Sequence, residues 1–357
     1  MNRFVREGIM DEDTNITSYN SKQKEEVLVS RLVEAKNELS FVCFIGAGVS
    51  IAQGYPDWNQ YVKQLIDYWR YHLDELVAEP ETNRNTVDMN DTLFLESLHH
   101  MPVSNKRKVD LVNFILKDYC EAHDSKKTLE LYNRHVLDFE RKLFTEIEPT
   151  IAKNEILDEL VKFEPIFITT NYDDQIEKSY ERSISKTPIK IRNITEINGA
   201  VEQNSIIHIH GVPDIDCNPE FFVSSAKSYS NAYFLGENYN KISQLLKDKN
   251  SPVFLFIGCS MEEDEILSLL KNLEEFSNLT SYALMKLDQL NPSDPVNQRK
   301  KNIIEKYYKI EHNVEIIWFG TEFSDLPVFI KKIGERFHEL RESAPADPEE
   351  LRKELTF

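Results

Sequence analysis

Hydrophobic and polar positions follow two rhythms along this chain. Phe41–Ile45 (FVCFI) is a continuous apolar run, the pattern of a strand buried on both faces, and it stops at Gly46-Ala47-Gly48. Pro165–Thr170 (PIFITT) repeats that pattern and ends as abruptly at Asn171. Further strand candidates are Ile189–Arg192, Ile206–Ile209, Val253–Ile257, Ser281–Leu287 and Val314–Phe319. Helical spacing fills much of the rest. Residues 22–38 carry Val27, Leu28, Leu32 and Val33 on one stripe; Trp58 to about Val77, nearly all of Thr92–Lys162, and Asp173–Arg182, Ala232–Lys247, Glu262–Phe276 and Leu326–Arg341 follow the same period. Strand and helix in alternation predict βαβ units around a parallel sheet, with the helical block between the first two strands as an insertion. Residues 1–20 read as a mobile arm and Glu79–Asp91 as an exposed polar loop. The tail SAPADPEELRKELTF reads as a Pro-rich linker ending in a short helix (Pro348–Leu355) capped by Asp347.

Composition narrows the classes. The 357 residues suffice for two packed units or one large α/β domain with an insertion, and 41% of them are hydrophobic, enough for a full core. The apolar runs are of strand length, well short of the ~20 residues that a bilayer span needs. With 42 basic against 61 acidic side chains the net charge is −19, a field that repels polyanions and argues against direct nucleic-acid binding. A local pocket can still hold a small phosphate-bearing ligand. Cys43, Cys120, Cys217 and Cys259 stand alone, with no C-x-x-C spacing for a zinc ribbon or disulfide scaffold. Thiols mostly embedded in strands, and a polar N-terminus without a signal-peptide core, predict a cytoplasmic protein.

Four stretches carry candidate chemistry. Gly46-Ala47-Gly48-Val49-Ser50 follows the first strand; its glycines let backbone approach a ligand, and the following amides and Ser50 hydroxyl suit a phosphate. It fails the dinucleotide fingerprint at Ile51, and a tight strand-to-loop turn explains it equally well. Thr169-Thr170-Asn171-Tyr172-Asp173 sits where a buried strand runs out, the place where open α/β sheets bind ligands; the alternative is that Asn171 caps the next helix. In Ile207-His208-Ile209-His210-Gly211 strand alternation puts both histidines on one face. His210, at the strand end, suits a base titrating near neutrality, while His208 suits a satisfied core position; a metal pair lacks a third ligand. Gly258-Cys259-Ser260 ends another apolar strand, with Ser260 a helix cap or a ribose and phosphate contact. The acidic run Glu262–Glu265 reads as a solvated first helical turn.

The order of these stretches resembles the SIR2-like (sirtuin) family across about residues 39–320. That resemblance implies an α/β fold, a Rossmann-like parallel sheet with an inserted helical module, and NAD as ligand. By the same resemblance Gly46, Ala47, Gly48 and Ser50 hold the pyrophosphate, and the stretch Gly54 to Trp58, with Pro56, Asp57 and Trp58, closes over nicotinamide. Thr170, Asn171 and Asp173 match T-x-N-x-D, with Asn171 on the ribose and the attacking water; His210 matches the catalytic histidine, and Gly258 and Ser260 the ribose-binding G-x-S. The implied division is an N-terminal arm and helix (1–38), an NAD-binding domain (39–325) with the insertion at about 59–163, and a C-terminal helix and tail (326–357).

The departures from the family carry information too. The zinc pairs of protein deacylases are absent, so no metal is expected, and Asn59 stands where deacylases usually have Arg. TTNYDD, the helical insertion and FIGCSMEEDEI resemble the bacterial anti-phage branch, whose members cleave NAD. The resemblance therefore implies an NAD hydrolase; a zinc-free deacylase and a non-catalytic NAD or ADP-ribose sensor are the alternatives. Too few residues follow Gly320 for a second sensor fold, so gating is expected from homo-oligomerisation or from another polypeptide, a HerA-like ATPase by resemblance.

Overall fold

A computed structural model describes residues 12–76, 89–122, 126–147, 151, 153–197, 201–213, 222–233, 241, 252–261, 267, 279–287 and 294–343. Residues 1–11, most of the 79–91 loop, Cys217, the rest of the 232–247 and 262–276 patterns, and the tail from 344 lie outside the described residues.

Among the described residues seven strands form one sheet: β1 (Phe41–Ile45), β2 (Ile166–Thr169), β3 (Ile189–Ile191), β4 (Ser205–His208), β5 (Val253–Ile257), β6 (Thr280–Lys286) and β7 (Val314–Gly320). Their order is β3-β4-β2-β1-β5-β6-β7 and every pairing is parallel, as the alternation of strand and helix predicts. β1 occupies the centre with all five residues buried, which is why it is apolar without interruption. Phe41, Cys43 and Ile45 point into one core layer and Val42 and Phe44 into the other, the two-residue period of a pleated strand.

The first layer is covered by α1 (Glu12–Asn37), α6 (Glu155–Leu160), α7 (Gln175–Ile184) and α10 (Asp325–Ser343), through Leu28, Leu32, Leu157, Tyr180, Ile330 and Phe337 among others. Helix α1 begins at Glu12, inside the segment read as an arm. The second layer is covered by α8 (Ala226–Tyr233) and partly by α9 (Pro295–His312). Helix α9, which the periodicity reading did not include, buries none of its residues; its signal is local, Asp294 accepting from the Val296 N–H with Pro295 at the first position.

Between β1 and β2 lies a helical module with its own core: α2 (Trp58–His72), α3 (Met89–Ser97), α4 (Asn105–Ala122) and α5 (Lys126–Phe144) bury Tyr61, Trp69, Leu95, Leu116 and Phe139. Helix α6 and the turn after it pack on the sheet instead, so the separately cored insertion ends near Phe144. Tyr172 and Phe222 of the α/β unit complete this core and join the module to the carboxyl end of the sheet. The thiols are less strand-bound than expected: Cys43 lies in β1, Cys120 on α4, and Cys259 beyond the end of β5.

Candidate active site

At the carboxyl ends of β1, β2, β4 and β5 the sheet and the helical module enclose a cleft of about 960 Å³. This is where an open parallel sheet binds its ligand, at the top of the size range of small-molecule pockets. Gly46, Ala47, Gly48, Ser50, Pro56, Asp57, Trp58, Thr170, Asn171, Asp173, His210, Gly258 and Ser260 all line it. Residues from five separate stretches of sequence thus meet on one surface.

The glycines hold two strand-end loops together. A Cβ on Gly48 would stand 2.8 Å from the Gly258 carbonyl oxygen, and one on Gly258, at φ +70°, would stand 2.7 Å from the Val49 nitrogen. Gly48 N–H donates to Gly258 O at 2.9 Å. Phosphate binding by the loop amides is correspondingly limited. Gly46, Gly48, Val49 and Ser50 N–H groups already donate to main-chain carbonyls, leaving Ala47 as the loop amide outside this set. Ser50 is buried, and its hydroxyl serves Asn171 and Asp173.

Asn171 does not cap a helix. Helix α7 starts at Gln175 with Asp174 at its cap position, and the buried Asn171 side chain turns to β1, its Nδ2 donating to Gly46 O at 3.2 Å and Ser50 Oγ at 3.3 Å. Its Oδ1 is buried with no hydrogen-bond partner. A native protein rarely leaves a buried acceptor unpaired, and such an atom on a cleft wall marks a place for a hydroxyl or a water. Asp173 accepts from Gln175 N at 3.0 Å. Burial pushes its pKa up to about 6, against the opposing pull of hydrogen bonds from Gln175 and Ser50. Asp57 also lines the cleft, but its carboxylate is engaged in a reciprocal cap with Gln60, accepting from Gln60 N at 2.8 Å.

The two histidines do not share a face. β4 ends at His208, and Gly211 N–H donates back to His208 O, so His210 leaves the strand alternation. His208 is fully buried between Asn171 O at 3.1 Å and Glu177 Oε1 at 3.0 Å, two acceptors that favour the doubly protonated ring. Burial opposes that charge, but Glu177 outweighs it and holds the pKa above its ordinary value.

His210 Nε2 lies 2.7 Å from the Tyr233 hydroxyl, and the ring also bonds to the Thr170 main chain. Thr170 N–H already donates to Ile45 O, so the ring partner is the Thr170 carbonyl; Nδ1 therefore donates and Nε2 accepts. Burial, and then the charge of Lys106, push the His210 pKa down to about 3. The expectation of a base titrating near neutrality is corrected accordingly: His210 is a neutral acceptor at every physiological pH.

Sequence reasoning missed a wall of aromatic rings. Tyr229 meets the His210 ring edge-on at 4.9 Å and Trp58 stacks on Tyr61 at 5.1 Å, while Lys106 Nζ sits 3.7 Å over the Tyr229 ring. Lys106 and Lys286 both line the cleft, giving a strongly acidic chain local positive charge. The only trace of Lys106 in the sequence is a basic cluster, Lys106-Arg107-Lys108, at the start of α4.

The fold and cleft define an α/β protein with a cleft of ligand size at the carboxyl end of a parallel sheet. A family model described as a SIR2-like domain matches residues 165–313. The match holds Thr170, Asn171, Asp173, His210, Gly258 and Ser260, while Gly46–Ser50 and Pro56–Trp58 lie outside it. SIR2-like domains use NAD, so the match supports a NAD-related enzymatic activity. No curated protein matches the chain. Among the described residues no helix is long and apolar enough to cross a membrane.

Proposed function

We propose that this protein is an NAD+ hydrolase that cleaves the nicotinamide–ribose bond to give nicotinamide and ADP-ribose. The observation that carries the reading is the unpaired, buried Asn171 Oδ1 on the same cleft wall as the neutral imidazole of His210. NAD suits these residues by size, by the paired acceptors and by the two cleft lysines. The leaving group departs neutral from a cationic ring, so little acid help is needed and catalysis rests on orientation and on acceptors placed where positive charge develops. Asn171 Oδ1 accepts from the attacking water or a ribose hydroxyl. His210 Nε2 accepts from the same hydroxyl region, exchanging the Tyr233 hydroxyl for substrate, and the Asp173 carboxylate takes the carboxamide N–H. Trp58 and Tyr229 shield the reacting centre from bulk water.

The wider role we infer is that of the NAD-depleting effector of a cytoplasmic bacterial anti-phage system, silent until assembled. Self-assembly is supported by an apolar stripe on α9, where Val296, Ile303, Tyr307 and Ile310 are all exposed at helical spacing among the described residues. A HerA-like ATPase is the partner proposed from the sequence resemblance. The test is incubation of the purified chain with NAD+, alone and with such an ATPase, following nicotinamide and ADP-ribose by chromatography. Stoichiometric release of both supports the reading. Acetate release from an acetyl-lysine peptide would favour a deacylase, and tight NAD binding without turnover in either mixture would make the protein a sensor.

A further inference from the structure

Outside the cleft, the helical module brings together three side chains that the sequence keeps apart. His72 ends α2, Glu75 follows one turn later, and His135 reaches over from the middle of α5. One donor atom from each lies within 4.8 Å of the other two. The Glu75 carboxylate bridges the two rings, Oε1 2.7 Å from His72 Nδ1 and Oε2 3.3 Å from His135 Nε2. The remaining nitrogen of His135, Nδ1, lies 2.8 Å from the Tyr68 hydroxyl. An imidazole whose far nitrogen is held by a hydrogen bond, with its near nitrogen turned to a carboxylate and a second imidazole, is the arrangement of a metal-ligating histidine with its orienting partner.

We propose that His72, Glu75 and His135 bind a zinc ion that fastens α2 to α5. Two imidazoles and one carboxylate are borderline donors that suit Zn²⁺, with water completing a tetrahedron. Small rotations of His72 and Glu75, both partly exposed at a helix end, close the donor set to bonding distance, whereas His135 is mostly buried and pre-oriented. The proposal departs from the sequence expectation of no metal, which could not see ligands drawn from two helices separated by most of the insertion. The site is structural. Along α2 it stands about 21 Å from Trp58 at the cleft, taking 1.5 Å per residue.

The test uses full-length, tag-free protein stripped with a chelator and desalted. Titration with Co²⁺ followed by visible absorption, and with Zn²⁺ followed by elemental analysis and thermal melting, reads the site directly. The expected result is one equivalent bound, a tetrahedral Co²⁺ spectrum, and a melting temperature raised by several degrees. All three should be lost in His72→Gln and in Glu75→Gln, whose positions at an exposed helix end leave the fold intact; Tyr68→Phe should weaken binding roughly 10-fold or more. Retention of less than a trace of metal by the wild-type chain, or binding unchanged in His72→Gln and Glu75→Gln, overturns the proposal. No NAD enters the measurement, so its outcome is independent of the proposed hydrolase activity.

Discussion

The pH dependence of nicotinamide release should report Asp173 and not His210. Asp173 is buried and its pKa stands at about 6, while His210 is pushed down to about 3. Between pH 4.5 and 8.5 the imidazole stays neutral throughout, and the only one of these two groups to change charge is the carboxyl. If the carboxylate holds the carboxamide, kcat/KM rises about tenfold per pH unit up to pH 6 and is level above it. Asp173→Asn should give a lower, flat profile. His210→Gln should lower the plateau without moving the inflection. The assay is initial-rate chromatography of nicotinamide across the pH range. An inflection near 6 that survives in Asp173→Asn, or that disappears in His210→Gln, refutes the assignment.

The same shift has a stability counterpart with a definite sign. Raising a carboxyl from 3.8 to about 6 means that the folded state holds its proton longer than the unfolded chain. Stability is therefore fully present below pH 3.8 and falls as pH rises to about 6, by roughly 3 kcal/mol at 1.36 kcal/mol per unit. Asp173→Asn should remove that fall from the melting curve. The buried ion pair behind the site behaves differently. The raised pKa of His208 gives stability that is full below its unfolded value of 6.5 and is lost as pH rises through the folded value.

Asn171→Ala should reduce NAD cleavage at least 100-fold with the melting temperature nearly unchanged; retention of turnover would remove Asn171 from the site. His208→Ala should leave the buried Glu177 carboxylate with Lys190 at 3.5 Å in place of its closer imidazole partner, costing about 1–3 kcal/mol by denaturant titration, with any activity loss tracking unfolding. Gly258→Ala should destabilise the chain and abolish NAD binding by calorimetry, since its Cβ would stand 2.7 Å from the Val49 nitrogen. Ile303→Asp with Ile310→Asp should convert an oligomer to a smaller species in light scattering; an unchanged mass would place assembly elsewhere.

What was legible in the sequence follows from where the physics is local. β1 announces itself because a strand covered on both faces must be apolar at every position, and the cleft residues because parallel strands deliver their ends to one place. The histidine pair was misread because alternation holds only while the strand lasts, and β4 stops at His208. Helix α9 hid because its apolar residues are sparse among charged ones and none of them is buried, so its clearest signal is the Asp294-Pro295 start. Lys106, Tyr229 and Tyr233 hid for the opposite reason: their role exists only once two distant helices meet over His210.

That meeting bears on how the site works. A histidine just past a strand end would by itself be an ordinary exposed imidazole, half protonated near pH 6.5. Here α8 closes over it with Tyr229 and Tyr233, and α4 of the inserted module adds Lys106 on the Tyr229 ring. Burial removes the water that would stabilise an imidazolium, and the lysine charge opposes a second positive charge nearby; together they make the ring a permanent acceptor. Two positions earlier, the same backbone places His208 against a carbonyl and a carboxylate, which hold its pKa above the ordinary value. The sheet supplies the positions, but the helices decide the protonation states. Displacing α4 from α8 would therefore alter the chemistry of the cleft without moving a residue of the sheet.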